Sequence, residues 1–241
     1  MNKNKFDLQN NQYNFPYHYL VNLREYSNYK ELSWGIIYYA YMKYTVGYVY
    51  KSGCKSLLDV GCGDGRLISE LASSDSSGSY VGVDLSESAI LLAKAMNQNL
   101  KNAKFLLKNV GQIEGEFDIV VLNEVLEHIP DEDLGVFTGN VMNKVKSGGV
   151  LIVTVPSVNV KLNEKHFRHY NLEMLRKQFE KLKLLENETK YLFKKNLFYK
   201  IIRIFAKRFR CPKLELFLAK KFLFNARDKN CTDIFVVFKR K

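Results

Sequence analysis

The feature that most constrains the fold is a series of short, uninterrupted apolar runs that alternate with helical stretches from residue 56 onward. Runs that are apolar throughout are typical of strands buried on both faces of a parallel sheet. Their alternation with helices predicts a doubly wound, Rossmann-like α/β fold: a seven-stranded, mostly parallel sheet with helices on both faces. The predicted strands are Ser56–Val60, Tyr80–Leu85, Ala103–Leu107, Phe117–Leu122, Val150–Val155, Leu184–Leu192 and Thr232–Phe238.

Four predicted helices connect these strands, and two of them begin after residues suited to N-caps, Ser86 and Asn171. We expect one domain, because 241 residues would be cramped as two. Its core comprises residues 53–192 and 231–241. Residues 1–52, which hold 11 of the 15 tyrosines, are predicted to form an aromatic helical lid. The predicted helices are Gly65–Ala72, Ala89–Leu100, Leu134–Lys146 and Leu172–Lys183.

The net charge of +12 is concentrated near the C-terminus. Residues 194–229 hold 12 basic and 2 acidic groups, a balance of +10. These residues lie within 193–230, a predicted basic amphipathic helical insertion before the last strand. Its apolar face would pack on the protein's own core, or the insertion would contact phosphate-bearing molecules, RNA or an acidic membrane surface. The charge distribution excludes a uniformly basic nucleic-acid coat.

A glycine-rich loop, Gly61-Cys62-Gly63-Asp64-Gly65, follows the first predicted strand and opens a helix. Glycines at alternate positions let a backbone turn sharply and approach a ligand closely. The second strand ends at Asp84, where a carboxylate can accept both hydroxyls of a ribose. The loop alone is a weak signal, and a glycine turn without a ligand or a nicotinamide oxidoreductase are alternatives. The combination of strand, loop, helix and acidic residue predicts a nucleoside-containing ligand.

The motifs LDVGCGDG, VGVDLSESAI and FDIVVLNEVLEHIPD together resemble the class I S-adenosylmethionine-dependent methyltransferases over residues 53–192 and the last strand. The resemblance implies an enzyme that uses S-adenosylmethionine as its methyl donor. Asn109 stands where the family usually has an adenine-contacting aspartate, although an amide carbonyl can still accept from the adenine amine. By the resemblance, the cofactor-binding residues would be Asp59, Gly61, Gly63 and Gly65 for the methionine end, Asp84 for the ribose, and also Leu85, Asn109, Val110 and Asn123.

An acidic and histidine-containing segment follows the fourth strand. If Glu124–His128 is a helical turn, Glu124, Glu127 and His128 share one face, and His166 is a candidate fourth ligand. Two carboxylates and imidazoles suit Mg²⁺ or Mn²⁺. The spacing resembles ubiquinone-pathway O-methyltransferases and RNA 3′-terminal 2′-O-methyltransferases. Alternatively, His128 and His166 act as metal-free catalytic bases, or the segment only shapes the cofactor pocket.

The predicted substrate is a small anionic or phosphorylated metabolite, such as a surface-glycan precursor, methylated on oxygen. Tyr17, His18 and His169 are candidate substrate contacts, and Tyr19 lies beside them, although these tyrosines would also suit simple packing of the lid. An RNA 2′-O-methyltransferase is the runner-up, and a non-catalytic cofactor-binding or membrane-docking protein is the third alternative. The N-terminal residues resemble no secretory signal, and the cysteines form no metal-binding pair, so we expect a cytoplasmic protein, with peripheral contact at the inner membrane face as an alternative.

Overall fold

The computed structural model describes residues 32–194 and 226–241, together with the single positions Ile201, Ile204 and Phe217. Five α-helices occur in these ranges: α1 (Leu32–Ser52), α2 (Arg66–Ser74), α3 (Glu87–Met96), α4 (Asp131–Asn143) and α5 (Leu172–Gln178). The strands are β1 (Ser56–Val60), β2 (Ser79–Asp84), β3 (Ala103–Leu107), β4 (Phe117–Asn123), β5 (Val145–Pro156), β6 (Lys183–Leu184), β7 (Lys190–Lys194) and β8 (Cys231–Lys239).

The strands form one sheet in the order β3-β2-β1-β4-β5-β8-β6, and β7 also pairs with β8. The pairs among β1 to β5 are parallel, whereas β8 runs antiparallel to β5, β6 and β7. The predicted doubly wound, mostly parallel fold is therefore confirmed. The strand order reverses beside β1, which lies between β2 and β4, and this arrangement opens a crevice at the carboxyl ends of these strands.

The described part of the chain has eight strands rather than seven, because the predicted strand Leu184–Leu192 is two strands. The Leu185 amide still donates to the Val237 carbonyl at 2.8 Å, but the polar residues Glu186–Glu188 then form a 3-10 turn before β7 pairs with β8. The helix predicted over Leu134–Lys146 begins earlier, at Asp131. Three acidic residues in its first turn favour this start, since they complement the positive end of the helix dipole.

Alternate residues of the central strands enter two apolar cores, one on each face of the sheet. Leu57, Ile119 and Ile152 pack with α1, α2 and α3 on one face. Leu58, Val120 and Leu151 pack with α4 and α5 on the other. Because both faces are covered, the central strands carry the uninterrupted apolar runs seen in the sequence.

The second half of α1 belongs to the core. Tyr41, Thr45 and Val49 are buried, and the Tyr44 ring lies 5.8 Å from the Phe235 ring of β8. The core therefore begins before residue 53. Residues 1–31 of the predicted lid, with Tyr17, His18 and Tyr19, lie outside the described residues, as does most of the basic insertion. Among the helices that can be described, none is both long enough and apolar enough to span a membrane.

Candidate functional site

The glycine loop after β1 forms one wall of the crevice. Gly61, Gly63 and Gly65 have φ values of 74°, 54° and 75°, in the left-handed region that favours glycine. A Cβ atom on Gly61 would lie 2.5 Å from Val125 Cγ2, and one on Gly65 would lie 2.5 Å from Phe105 Cε1. The backbone can therefore turn here only because these positions lack side chains. The Gly61 and Cys62 amides donate to the Val83 carbonyl at 2.8 and 3.0 Å, which fixes the loop against β2.

Asp84, at the end of β2, is held in a fixed orientation. Its Oδ2 accepts from the Gly63 amide at 3.0 Å, and its Oδ1 accepts from the Ser86 amide at 2.8 Å. Burial raises the pKa of Asp84, while these backbone hydrogen bonds and one from Leu85 oppose the shift. The carboxylate is therefore positioned beside the glycine loop, as a group that recognises ribose hydroxyls requires.

Apolar and amide groups flank Asp84. Leu85 is 61% exposed, and Leu107, the partner of Asp84 in the β2–β3 ladder, is 50% exposed. Asn109 caps a 3-10 turn, its Oδ1 accepting from the Gly111 amide at 2.9 Å, and Val110 is buried in that turn. The predicted Leu85, Asn109 and Val110 thus follow the ends of β2 and β3. Leu107 was not predicted, although its position at the end of a strand is readable in the sequence.

Three carboxylates, of Asp59, Asp64 and Asp84, lie close together at the glycine loop. Asp59 is only 3% exposed, and burial, followed by the nearby Asp84 and Asp64 carboxylates, raises its pKa to about 8. A buried carboxylate among like charges is stabilised by a bound cation. This part of the crevice therefore favours a positively charged ligand.

The segment after β4 does not form the single helical turn that the spacing suggested. Glu124 has a φ of 55°, in the left-handed region, and a 3-10 turn spans Leu126–His128. Left-handed backbone is strained for a residue with a side chain and is concentrated at functional sites. Asn123, the last residue of β4, lies with its Oδ1 3.4 Å from Thr154 Oγ1 and 3.5 Å from Thr45 Oγ1 of α1.

Three of the four predicted metal ligands come together. Glu127, His128 and His166 each offer a ligand atom, and these atoms lie within 4.8 Å of one another. The His128 and His166 rings meet edge to face, with centroids 4.8 Å apart. Glu124 is not a member of this compact group. We call Glu127, His128 and His166 the Glu–His–His group.

Glu127 is the unusual member of the group. It is 1% exposed, and neither of its carboxylate oxygens accepts a well-aligned hydrogen bond from any described residue. Its Oε1 lies 3.8 Å from His128 Nε2. Burial raises the pKa of Glu127 to about 8, its own amide opposes the shift, and Asp233 adds to it. A buried carboxylate that accepts no hydrogen bond from the described residues and lies beside two imidazoles matches the donor set of a divalent cation.

Two further carboxylates surround Glu127. Burial, then Glu127 and Asp233, raises the pKa of Glu124, which a hydrogen bond from Thr154 opposes. Asp233 of β8 is 5% exposed, and its pKa is raised to about 6 by burial, against a hydrogen bond from Thr232. Asp233 was not predicted as a site residue. The available signal was a single acid within the otherwise apolar strand that ends the chain.

The histidines are oriented by neighbouring groups. His128 Nδ1 lies 3.1 Å from the Lys165 carbonyl, and His166 Nδ1 lies 2.8 Å from His169 Nε2. His169 Nδ1 in turn lies 3.2 Å from the Val160 carbonyl. Burial lowers the pKa of His169, while the Val160 and Ser157 carbonyls oppose the shift. His169, predicted to bind substrate, is 8% exposed and has both nitrogens engaged, so the structure places it behind His166.

Arg168 ties the histidine segment to the turn after β4. Its Nε donates to Asp131 Oδ1 at 2.9 Å, and its Nη1 donates to the Leu126 carbonyl at 3.0 Å. The Phe167 amide also donates to the Glu127 carbonyl at 2.7 Å. These bonds hold Glu127, His128 and His166 in register, although the residues come from separate segments.

The chain was compared with known families and proteins. A family model described as a methyltransferase domain matches residues 51–205. Trans-aconitate 2-methyltransferase of Deinococcus radiodurans is 32% identical over 124 residues, which cover 52% of this chain and 45% of that protein. Ubiquinone biosynthesis O-methyltransferase of Hydrogenovibrio crunogenus is 36% identical over 85 residues, covering 32% of this chain and 33% of that protein. The match thus spans less than half of either relative.

The fold is also shared with solved structures. The N-methyltransferase NodS of Bradyrhizobium japonicum, crystallised with S-adenosyl-L-homocysteine, superposes with a TM-score of 0.67. The superposition covers 99% of both chains at 13% sequence identity. At this identity the likeness concerns the fold, and it extends over the whole sheet described above.

Proposed function

Because the chain belongs to the class I S-adenosylmethionine-dependent methyltransferases, we propose that it transfers a methyl group from S-adenosylmethionine to an oxygen of a small anionic or phosphorylated metabolite. The observation that carries this proposal is the arrangement of the residues that follow the carboxyl ends of β1, β2 and β4. The glycine loop holds Asp84 in place, and its Gly61 packs against Val125, two residues before Glu127 of the Glu–His–His group. The first part suits the methyl donor, and the second suits an acceptor oxygen.

The glycine-loop side of the crevice would hold the methyl donor. When bound, S-adenosylmethionine supplies an electrophilic methyl group on a positively charged sulfur, which the acceptor displaces in line. The raised pKa of Asp59 supports this placement, since the donor's ammonium and sulfonium groups would neutralise the local excess of carboxylates. The residues proposed to bind it are Asp59, Gly61, Gly63, Gly65, Asp84, Leu85, Asn109, Val110 and Asn123.

The Glu–His–His group would hold Mg²⁺ or Mn²⁺, and Glu124 is proposed as a fourth ligand. The unpaired Glu127 carboxylate supports the fit, as does the mixed oxygen and nitrogen donor set. Such a cation would lower the pKa of an acceptor hydroxyl and offset the charge of an anionic acceptor. In a metal-free reaction, His128 or His166 would instead accept the hydroxyl proton at Nε2.

The basic insertion bears on the acceptor and on location. Its +10 balance would attract phosphate-bearing molecules or an acidic membrane surface to an otherwise near-neutral protein. Ile201, Ile204 and Phe217, the positions described between residues 195 and 225, are 47%, 68% and 59% exposed. We propose that it recruits anionic acceptors in the cytoplasm or at the inner membrane face. Loss of binding to acidic vesicles on deleting residues 193–230 would support the membrane role.

A methyl-transfer assay with the full chain tests the proposal. Formation of S-adenosylhomocysteine would be measured with sugar phosphates, phosphorylated amino-acid metabolites, catechols and short RNA, with added Mn²⁺ and with EDTA. We expect turnover with a phosphorylated or otherwise anionic hydroxyl compound, and loss of turnover in EDTA. Turnover with RNA alone would favour an RNA 2′-O-methyltransferase. Tight S-adenosylhomocysteine binding without turnover on any acceptor would favour a non-catalytic protein.

A further inference from the structure

We propose that His169 is a positioning residue, which fixes His166 in the tautomer and orientation that present Nε2 to Glu127 and His128. The proposal deepens the proposed function, because it concerns how the Glu–His–His group is prepared for a metal ion or an acceptor proton. It rests on two side chains, His166 and His169, and on the Val160 carbonyl, which form a hydrogen-bonded series.

The series has a defined direction because it begins at a group that can only accept. The Val160 carbonyl has no proton to donate, so His169 Nδ1, 3.2 Å away, must carry the hydrogen. A neutral His169 then has an unprotonated Nε2, which accepts from His166 Nδ1 at 2.8 Å. With its proton on Nδ1, neutral His166 has a lone pair on Nε2. The hydrogen bond to the Val160 carbonyl thereby determines, through His169, that Nε2 of His166 is the nitrogen left to bind a metal ion or a proton.

His128 is held in the same tautomer by a single hydrogen bond to a backbone carbonyl. Its Nδ1 lies 3.1 Å from the Lys165 carbonyl, so the proton is placed on Nδ1 and the lone pair on Nε2. Two histidines from different segments would therefore each carry their lone pair on Nε2, and Nε2 of His128 lies 3.8 Å from Glu127 Oε1. Metal-binding histidines are oriented in this manner by an acceptor on their second nitrogen. His169 performs for His166 the role that a backbone carbonyl performs for His128.

The surroundings of His169 are rigid enough for this role. The side chain is 8% exposed. Next to it, the Tyr170 amide donates to the Pro156 carbonyl at 2.9 Å, and the Val158 amide donates to the Tyr170 carbonyl at 2.9 Å. The Val160 amide donates to Ser157 at 3.0 Å, which closes the turn that carries the accepting carbonyl. The Val160 carbonyl and the backbone next to His169 are thus both attached to the end of β5.

Two nearly isosteric variants separate positioning from packing. His169→Gln keeps an acceptor, the amide oxygen, near the position of Nε2. His169→Asn keeps a donor near Nδ1 but has no acceptor that reaches His166. Nitrogen-15 NMR on histidine-labelled full chain reports the tautomer directly, and the chain has four histidines to assign. We expect His166 to carry its proton on Nδ1 in the wild type and His169→Gln, and to shift toward the Nε2-protonated form in His169→Asn.

Retention of the Nδ1-protonated His166 in His169→Asn, with backbone amide signals elsewhere unchanged, would overturn the inference. Mn²⁺ affinity, measured by electron paramagnetic resonance, gives a second readout. Loss of an orienting partner typically weakens metal binding by about 10- to 100-fold, so His169→Asn should lose affinity to this extent while His169→Gln retains most of it. A wild type that binds no Mn²⁺ would refute the metal site of the proposed function, whereas the tautomer measurement would still decide the role of His169.

Discussion

Asp118 and Glu127 lie near opposite ends of the same strand, β4, and have opposite electrostatic environments. Asp118, at the amino end of β4, accepts hydrogen bonds from the Lys55 and Ser56 amides, the Ser56 hydroxyl and Lys146 Nζ at 2.8 to 3.0 Å. These bonds outweigh partial burial and lower its pKa to about 2. Glu127, beyond the carboxyl end of the same strand, is buried without such donors, and its pKa is raised to about 8.

The contrast distinguishes an acid that serves the fold from acids that serve a ligand. The fold stabilises the Asp118 anion, whereas it destabilises the anions of Glu127 and Asp59. Raised pKa values are concentrated at functional sites because such groups await a partner or a proton. The acids near the carboxyl ends of the strands therefore resemble a ligand-binding site, in which such groups lower the stability of the ligand-free protein. The comparison predicts that neutralising Asp118 lowers the stability of the protein, whereas neutralising Glu127 or Asp59 raises the stability of the ligand-free protein.

The largest effect is expected for Glu127→Gln. Removal of the anionic ligand should lower Mn²⁺ affinity by at least about 100-fold, more than the loss of an orienting partner does. The apo variant should be at least as stable as the wild type, since a buried unpaired carboxylate is removed. Titration with Mn²⁺ and urea unfolding measure the two effects. Glu180→Gln, an exposed carboxylate on the same chain, is the matched control.

S-adenosylhomocysteine affinity should change by less than about twofold in Glu127→Gln, because Glu127 is not among the residues proposed to bind the methyl donor and the two ligands share no proposed partner at this position. An equal loss of both ligands would contradict the separation of the crevice into a donor side and an acceptor side. Undiminished Mn²⁺ affinity would instead remove Glu127 from the proposed metal site.

The next largest effect is expected for Asp59→Asn. We expect S-adenosylmethionine affinity to fall by about 10-fold, equivalent to about 1.4 kcal/mol, because the anion proposed to face the methyl donor is lost. The apo protein should become more stable by about 0.5–2 kcal/mol at pH 8. Isothermal titration and thermal unfolding provide the measurements.

The stability gain of Asp59→Asn has a defined pH dependence. The folded pKa of Asp59 is about 8, above its ordinary value of 3.8, so the folded state binds the proton more tightly than the unfolded state. Wild-type stability from this group is therefore lost as pH rises from about 4 to 8. The advantage of the variant should grow over that range. A constant difference between pH 5 and pH 8 would show that Asp59 does not carry the shifted pKa.

Features set by local sequence could be predicted, whereas features set by contacts between distant segments could not. The strands and the glycine loop were predictable because apolar runs and alternate glycines determine local backbone. The Glu–His–His group was largely predictable from the spacing of Glu127 and His128. The left-handed Glu124, the approach of Asp233 and the role of His169 depend on contacts between distant segments. No local pattern contains that information, and the split between β6 and β7 likewise depends on pairing with β8.

A smaller effect is expected for Asp233→Asn, because Asp233 influences Glu127 through charge and is not a member of the Glu–His–His group. Loss of one nearby negative charge should lower Mn²⁺ affinity by about 3-fold, within the range expected for a single interaction at intermediate dielectric. If the site is open to solvent, this loss of Mn²⁺ affinity should be smaller when the titration is repeated at high salt. A loss as large as that of Glu127→Gln would instead identify Asp233 as a direct ligand.

The smallest effect is expected for Asp118→Asn, with a sign opposite to that at Glu127. The folded pKa of Asp118 is about 2, below the ordinary 3.8, so its stabilisation is present above pH 4 and is lost as pH falls toward 2. Because the side chain is 31% exposed, we expect the variant to lose only about 0.5 kcal/mol at pH 6. Urea unfolding at pH 6 and pH 3 would show the difference between variant and wild type shrinking at the lower pH. A more stable Asp118→Asn variant would contradict the comparison, since Asp118 and Glu127 would then both oppose folding.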